Sequence, residues 1–162
     1  MKKIGITGSL SSGKTTASKI LSSKKGPLFS ADIIVRKLYQ KNFFRKKIIK
    51  KFDIKSKYKI KIKTIIKSKI LKNKNHLKKI EEIIHPLVRK EMHAFINKNK
   101  KKKLMFFEIP LLIESKLMKY FDVIIFIKAK KSLRLKRFIS RGGNQKLFRL
   151  LDNKQLSVSK KT

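Results

Sequence analysis

The sequence predicts an α/β fold with a mainly parallel sheet. Short apolar, β-branched segments alternate along the chain with stretches of helical periodicity. A glycine-containing turn joins the first of these apolar segments to the first helical stretch. With 162 residues, 41% of them hydrophobic, the chain is also long enough for one domain with a buried core.

The first elements form two strand–helix pairs. The first strand covers Lys3–Thr7 and leads through the glycine-containing turn to a helix over Lys14–Ser23. The second strand covers Pro27–Ser30, and a helix over Asp32–Gln40 follows it. Helices after strands are typical of a parallel sheet with crossover connections.

The middle of the chain predicts helices alone. The segment from Phe43 to Leu77 is rich in lysine and isoleucine, and the pattern leaves the helix ends undefined. A helix over Ile80–Ile84 ends at His85, because Pro86 follows it and proline suits the first turn of a helix. We therefore expect a new helix over Pro86–Asn97. His85 either caps a helix here or contacts a substrate.

The last part returns to strand and helix. Strands are predicted over Leu104–Ile109, which is halted by a proline, and over Asp122–Lys128. A basic helix over Ser132–Arg141 ends at a pair of glycines, and a further helix covers Asn144–Asp152.

The turn after the first strand carries the strongest motif. Gly8–Thr15 reads GSLSSGKT and fits the P-loop pattern of glycine, four residues, glycine, lysine and serine or threonine. A strand precedes it and a helix follows, which is the context the motif requires. This predicts the three-layer sandwich of P-loop nucleotide-binding proteins; the alternative is a glycine turn that opens an ordinary helix.

A P-loop holds phosphates through backbone N–H groups and the positive end of the following helix. Lys14 reaches the β- and γ-phosphates of ATP, and the Thr15 hydroxyl is a ligand for Mg²⁺. Ser9 and Ser11 stand where such loops often carry glycine, so a positive φ at either position would be slightly strained. The residues expected to bind ATP in the loop are Gly8, Ser11, Ser12, Gly13, Lys14, Thr15 and Thr16.

Only nine acidic residues are available for catalysis or metal binding. Ligands of open α/β sheets gather at the carboxyl ends of the strands, which selects Asp32 and Glu108. Asp32 is suited to deprotonate an attacking hydroxyl or to cap the following helix, and Glu108 to hold a Mg²⁺-bound water or to pair with a lysine. Asp122 lies at the start of its strand and is expected to be a turn residue.

Three arginines recur on one face of the predicted basic helix. Arg134, Arg137 and Arg141 are placed to close over transferring phosphates, since arginine binds phosphate oxygens in a bidentate manner. A solvated basic face is the alternative.

The charge of the chain admits two interpretations. The sequence has 46 Lys and Arg against 9 Asp and Glu, giving a formal net charge of +37. This charge attracts nucleic acids, so a basic nucleic-acid-binding P-loop protein is a rival hypothesis. The lysines are spread along the chain, however, which favours compositional drift, and we expect no specific nucleic-acid partner.

The absence of cysteine excludes disulfides, cysteine-ligated metals and a thiol nucleophile. No apolar stretch is long enough to cross a membrane, and the first residues do not form a signal peptide. We expect a cytoplasmic protein that works as a monomer.

Several segments, in order, resemble the dephospho-CoA kinase family. The family pattern continues beyond the last of them into a further strand and helix. The segments are ITGSLSSGKTT at Ile6–Thr16, SADIIVRKLY at Ser30–Tyr39, HPLVRKEM at His85–Met92, FFEIPLLIES at Phe106–Ser115, RLKRFISR at Arg134–Arg141 and QLSVSKK at Gln155–Lys161.

The resemblance implies an ATP- and Mg²⁺-dependent kinase that phosphorylates the 3′-hydroxyl of dephospho-CoA. It implies that Asp32 approaches this hydroxyl, that Arg36 and His85 belong to the acceptor site, and that Arg137 and Arg141 act over the phosphates. Lys14, Asp32 and Arg137 are then the catalytic residues. A kinase of another small hydroxyl acceptor is the nearer rival.

The resemblance also implies a layout for the chain. Residues 1–162 form one kinase domain, with a helical acceptor-binding region at about 41–100 and a lid at about 132–152. Two positions depart from the family pattern: Ser30 and Glu108 each stand where the family has aspartate.

Overall fold

A computed structural model of the chain describes residues 1–54, 62–73 and 75–155. Parts of the predicted Lys- and Ile-rich helices, and the Gln-containing motif after Gln155, lie outside the described residues. A 3₁₀ turn, Met118–Tyr120, precedes the last strand. The elements in chain order are β1 (Lys2–Gly8), α1 (Lys14–Ser22), β2 (Leu28–Ser30), α2 (Ala31–Leu38), α3 (Asn42–Lys51), α4 (Ile62–Lys72), α5 (Asn75–Asn99), β3 (Leu104–Glu108), β4 (Val123–Ile127), α6 (Lys131–Ile139) and α7 (Gln145–Lys154).

The four strands form one parallel sheet in the order β2-β3-β1-β4, which confirms the predicted α/β fold. Glu108 of β3 is in register with Ile6 of β1 and with Ser30 of β2. The carboxyl ends of these three strands therefore lie side by side. The chain places β2 and β3 on one side of β1 and β4 on the other, so the end of β1 is a topological switch point, where α/β proteins bind ligands.

Aromatic packing fixes the middle of the sheet. Ile6 of β1 and Phe107 of β3 are fully buried. The ring of Phe107 lies 5.9 Å from that of Phe29, 5.5 Å from Phe95 and 5.3 Å from Phe121, centroid to centroid. Tilted and edge-to-face pairs at these distances add stability beyond the apolar area that they bury. The central strands therefore form a rigid base for the loops at their carboxyl ends.

Helix α1 buries a polar stripe instead of its apolar residues. Lys14, Ser18 and Ser22 are buried at intervals of four residues, whereas Ile20 is 68% exposed. Small serine side chains let the helix approach β1 and β3 closely. Periodicity in the sequence thus locates this helix but not the face that it buries.

The described residues divide into two compact units. One contains the sheet, and the other is Ile33–His93. In the second unit, Ile62, Ile66 and Ile70 of α4 are buried at every fourth position, and Phe44 of α3 is fully buried. Among the described residues of the lysine- and isoleucine-rich segment, α4 is therefore an amphipathic helix with an apolar face.

The prediction that a new helix begins at Pro86 is wrong. Helix α5 continues through this proline without a break. Proline in a helix interior costs about 3 kcal/mol, but burial of Ile80, Ile83 and Met92 contributes about 1.5–3 kcal/mol for each side chain and offsets that cost. Neither α5 nor any other helix in the described ranges is long and apolar enough to span a membrane.

Asp122 joins the starts of β1 and β4, at the edge of the sheet opposite the glycine-containing loop. Its Oδ2 accepts a hydrogen bond from the Lys3 N–H at 2.6 Å, and its own N–H donates to the Lys3 carbonyl at 2.9 Å. The Lys3 N–H, assisted by the positive charge of Lys3, lowers the pKa of Asp122 below its ordinary value. The residue belongs to a turn, as the sequence predicts.

A lowered folded-state pKa makes stability depend on pH. The Asp122 carboxylate stabilises the fold above its unfolded pKa, and this contribution is lost as the pH falls through the lower folded pKa. We expect Asp122→Asn to be less stable than the parent chain at neutral pH, and the difference to shrink under acid conditions. Urea unfolding at about pH 7, 5 and 3 measures it. A difference that stays constant with pH would contradict the assignment.

Candidate active site

Strand β1 runs directly into a loop of the predicted shape. The strand ends at Gly8 and α1 begins at Lys14, with Gly13 as the N-cap at φ 100°. A Cβ at Gly8 would lie 2.4 Å from the carbonyl oxygen of Ile127, so only glycine fits there. Gly13 requires glycine because its φ is positive. Both glycines that flank the loop are therefore needed by its backbone.

The middle of the loop is strained at Ser11. This residue has φ 57°, in the left-handed region, which costs about 1–2 kcal/mol for a residue with a side chain. The Ser12 N–H donates to the Ser9 carbonyl at 3.1 Å, and this bond closes a tight turn that contains Ser11. Within the described part of the chain, the buried Ser12 Oγ makes no hydrogen bond. A buried hydroxyl in this state is suited to a ligand that supplies an acceptor.

Lys14 brings a positive charge to the loop. Its Nζ donates to the carbonyl oxygens of Gly8 at 3.1 Å and Ser9 at 2.8 Å, and the residue is only 8% exposed. The start of α1 adds the positive end of the helix dipole at the same place. Because both charges are partly shielded from water, the loop favours an anion such as a phosphate.

Glu108 lies beside the loop and is bonded to two hydroxyl groups. It is 1% exposed. Its Oε1 accepts a hydrogen bond from Thr15 Oγ1 at 2.5 Å, and its Oε2 accepts one from Ser30 Oγ at 2.7 Å. Both of these hydrogen-bond partners are hydroxyl groups, and neither is a lysine. The next residue of α1, Thr16, is exposed in the first turn.

Ser30 is a site residue that the sequence does not identify as one. It ends β2, in register with Glu108, and is buried. Sequence comparison with the family pattern marks it only as a missing carboxylate. The signal that could have found it is its place at the carboxyl end of a strand, the criterion that selected Glu108.

The predicted acceptor residues fall in α2 and α5. Asp32 is exposed and is the second residue of α2, so it lies within the first helical turn and not at the cap position. Arg36 is exposed one turn later on α2. His85 is half-buried inside α5, so it does not cap a helix. Arg36 and His85 belong to the unit Ile33–His93, whereas Asp32 belongs to the unit with the sheet.

The three predicted arginines have separate surroundings. Arg137 Nη1 donates to the Ser12 carbonyl at 3.2 Å, so it lies against the loop. Arg134 is buried and forms an ion pair with Asp152. Arg141 follows the end of α6 and is exposed. They therefore do not form one solvated basic face.

The loop carries two glycines, a lysine and a threonine, and it joins a central parallel strand to the N-terminus of a helix. This arrangement defines a P-loop nucleotide-binding protein. The sequence model of the dephospho-CoA kinase family matches residues 2–161. The chain is also 36% identical, over 167 residues, to the dephospho-CoA kinase of Bartonella quintana, covering 99% of this chain and 84% of that one. The chain belongs to the dephospho-CoA kinase family.

Comparison with solved structures agrees with this family assignment. The dephospho-CoA kinase of Campylobacter jejuni matches with a TM-score of 0.60 and 25% identity, covering 99% of this chain and 82% of that chain. A Thermus thermophilus protein matches with a TM-score of 0.79 and 22% identity, covering 99% and 83% respectively, and shows the fold. The resemblance found in the sequence motifs is thus confirmed.

Proposed function

We propose that this chain transfers the γ-phosphoryl group of ATP to the 3′-hydroxyl of dephospho-CoA, giving CoA and ADP in the last step of CoA synthesis. The observation that carries the proposal is the loop of Gly8–Thr15, with Lys14 inside it and Glu108 beside it, in a member of this family. Phosphoryl transfer depends mainly on positioning and on stabilising charge, and this site offers both.

The loop binds the triphosphate of ATP. Backbone N–H groups from Ser11 to Thr16 surround the β-phosphate, and Gly8 and Gly13 allow the close approach. Lys14 bridges the β- and γ-phosphates. Since the buried Ser12 hydroxyl has no hydrogen-bond partner among the described residues, a phosphate oxygen supplies the acceptor that it lacks.

Thr15 and Glu108 are the residues that fit Mg²⁺. Their oxygens lie 2.5 Å apart, and Mg²⁺ in such sites takes one or two protein oxygens together with water and phosphate. The Thr15 hydroxyl would hold the ion, and the Glu108 carboxylate would hold a water bound to it. When bound, Mg²⁺ neutralises charge on the β- and γ-phosphates. In the described ranges, no group of three or more His, Cys, Asp or Glu offers another metal site.

Asp32 acts on the acceptor. Its exposed carboxylate follows the carboxyl end of β2 and takes the proton of the 3′-hydroxyl as the oxygen attacks the γ-phosphorus. The bond from this phosphorus to the β,γ-bridging oxygen breaks, ADP leaves, and the proton passes to solvent. Arg36 and His85 bind the acceptor. Arg137 and Arg141 neutralise charge on the transferred group.

Different regions of the chain take different parts in the reaction. The chain acts as one kinase domain, in which residues 41–100 bind the acceptor and residues 132–152 serve as the lid. It acts as a monomer in the cytoplasm and has no specific nucleic-acid partner. The contact of Arg137 with Ser12 supports a lid role for α6.

An acceptor comparison tests the function. Purified protein, ATP and Mg²⁺ are mixed with dephospho-CoA, adenosine, AMP, shikimate or no acceptor, and ADP release is followed by a coupled assay. We expect release only with dephospho-CoA, with a product of the mass of CoA. Release with another acceptor, but not with dephospho-CoA, would assign a different kinase activity.

Glu108→Gln tests the metal site. Glutamine keeps the length of the side chain and an oxygen acceptor but removes the negative charge. We expect the half-saturating Mg²⁺ concentration to rise about 10–100-fold, with a matching loss in calorimetric affinity for ADP in the presence of Mg²⁺ and little change in its absence.

Asp122→Asn is the control for the Glu108 variant. It also removes one carboxylate, but at the opposite edge of the sheet. We expect its Mg²⁺ dependence to match that of the parent chain. An equal effect of Glu108→Gln with and without Mg²⁺ would show that Glu108 acts on the nucleotide or the fold and not on the metal.

A further inference from the structure

The α6–α7 region holds the phosphate-binding loop by its main chain. Arg134 Nη1 donates to the Leu10 carbonyl at 3.4 Å, and the Leu10 N–H donates to Gln155 Oε1 at 2.9 Å. Leu10 is therefore held at both its N–H and its carbonyl. The Ser12 carbonyl is held in turn by Arg137.

The residue between these two anchor points is Ser11, which has φ 57°. A left-handed conformation is unfavourable for a serine and persists only where the surroundings impose it. Here both neighbours of Ser11 are held by side chains of the α6–α7 region. Carbonyls drawn outward by Arg134 and Arg137 also leave neighbouring N–H groups free to turn toward a phosphate, because the two groups of a peptide plane point in opposite directions.

Arg134 is itself held rigidly. Its Nη1 lies 2.5 Å from Asp152 Oδ1 and its Nη2 lies 3.4 Å from Asp152 Oδ2, with the two side chains 8% and 12% exposed. The guanidinium also lies over the ring of Phe148, 5.7 Å from its centroid. A buried ion pair adds little net stability compared with apolar packing. Its geometry instead fixes one orientation of the arginine, the one that reaches Leu10.

We infer that Arg134, Asp152 and Gln155 are positioning residues that keep the loop in the conformation able to bind phosphate. The inference rests on the proposed function, because it takes ATP as the ligand of the loop. Arg134 and Gln155 act on the backbone of Leu10, Asp152 acts by holding Arg134, and contact with ATP is left to the loop. They are expected to govern the affinity for ATP, and to leave the KM for dephospho-CoA and the kcat at saturating ATP close to their original values.

The test measures the Kd of ATP by calorimetry for Arg134→Met, Asp152→Asn, the double variant and Gln155→Met. We expect Kd to rise about tenfold in each single variant. The Arg134 and Asp152 effects should be strongly non-additive, because both changes release the same arginine. Lys136→Met, an exposed residue of α6, is the matched control and should leave Kd unchanged.

Ser11→Gly separates positioning from a merely structural role. Glycine adopts the left-handed conformation without cost, so adding Ser11→Gly to Arg134→Met should recover much of the lost affinity. General damage to the fold would not be repaired in this way. Recovery confirms the inference; folded variants that bind ATP as tightly as the parent overturn it.

Three outcomes have to be told apart. If Arg134→Met does not fold, Gln155→Met decides the question alone, since it leaves the ion pair intact and removes only the bond to the Leu10 N–H. If the parent chain itself does not bind ATP, the proposed function fails together with the inference. If the parent binds ATP and the variants bind it equally well, only the inference fails.

Discussion

Asparagine at position 32 is expected to lower kcat about 10²–10⁴-fold, the usual range for loss of a general base, while the Kd of ATP changes by less than about twofold. The carboxylate is exposed in the first turn of α2, next to the carboxyl end of β2. Asparagine keeps the size of the side chain and one hydrogen-bonding oxygen. It cannot take the proton of the attacking hydroxyl, so the chemical step is slowed and nucleotide binding is spared.

Steady-state kinetics with dephospho-CoA, together with calorimetric ATP binding, measures both quantities for the Asp32 variant. Asp122→Asn is the matched control, because it makes the same chemical change at the opposite edge of the sheet. Its kcat at neutral pH should equal that of the parent. If Asp32→Asn turned over at the parent rate, Asp32 would have no role in proton transfer, and its place in the first turn would be explained by the helix dipole alone.

Methionine in place of Lys14 is expected to lower kcat/KM for ATP by a factor of about 10²–10³, as for the loss of one donor to a developing charge. The ammonium is buried inside the loop, where it donates to the carbonyl oxygens of Gly8 and Ser9. Methionine has a similar length and fills the same space. The variant therefore reports the lost charge more than lost packing.

Lys19→Met provides the control for Lys14→Met. Lys19 belongs to the same helix, is exposed and lies toward its C-terminal end. The same substitution there should leave kcat/KM unchanged, although it lowers the net charge equally. If both variants lost activity to the same degree, the effect would reflect the overall positive charge of the chain and not a contact of Lys14 with phosphate.

The sequence predicts most of the sheet because its signals are local. The apolar strands and the loop of Gly8–Thr15 each depend on neighbouring residues, and all appear near their predicted bounds. The break predicted at Pro86 is wrong for the converse reason. The local preference of proline is outweighed by apolar burial on both sides of it, which depends on tertiary packing.

The candidate site was predictable in part. Glu108 could be selected because strand ends meet at one edge, but its bond to Ser30 depends on the register between β2 and β3. Arg134 shares a helix face with Arg137 in the sequence, yet it is buried against Asp152, 18 residues further on. Nothing local indicates that α7 would supply the partner.

The left-handed serine of the loop has a consequence for how this chain can vary over time. Where glycine occupies such a position, the loop adopts the left-handed conformation without help from other residues. Here Ser11 depends on Arg134, a residue 124 positions away from the Leu10 carbonyl that it binds. Substitutions at these sites are therefore expected to be epistatic: a change at Arg134 should lower the affinity for ATP more with serine at position 11 than with glycine there. The order in which such changes arise decides which of them are tolerated.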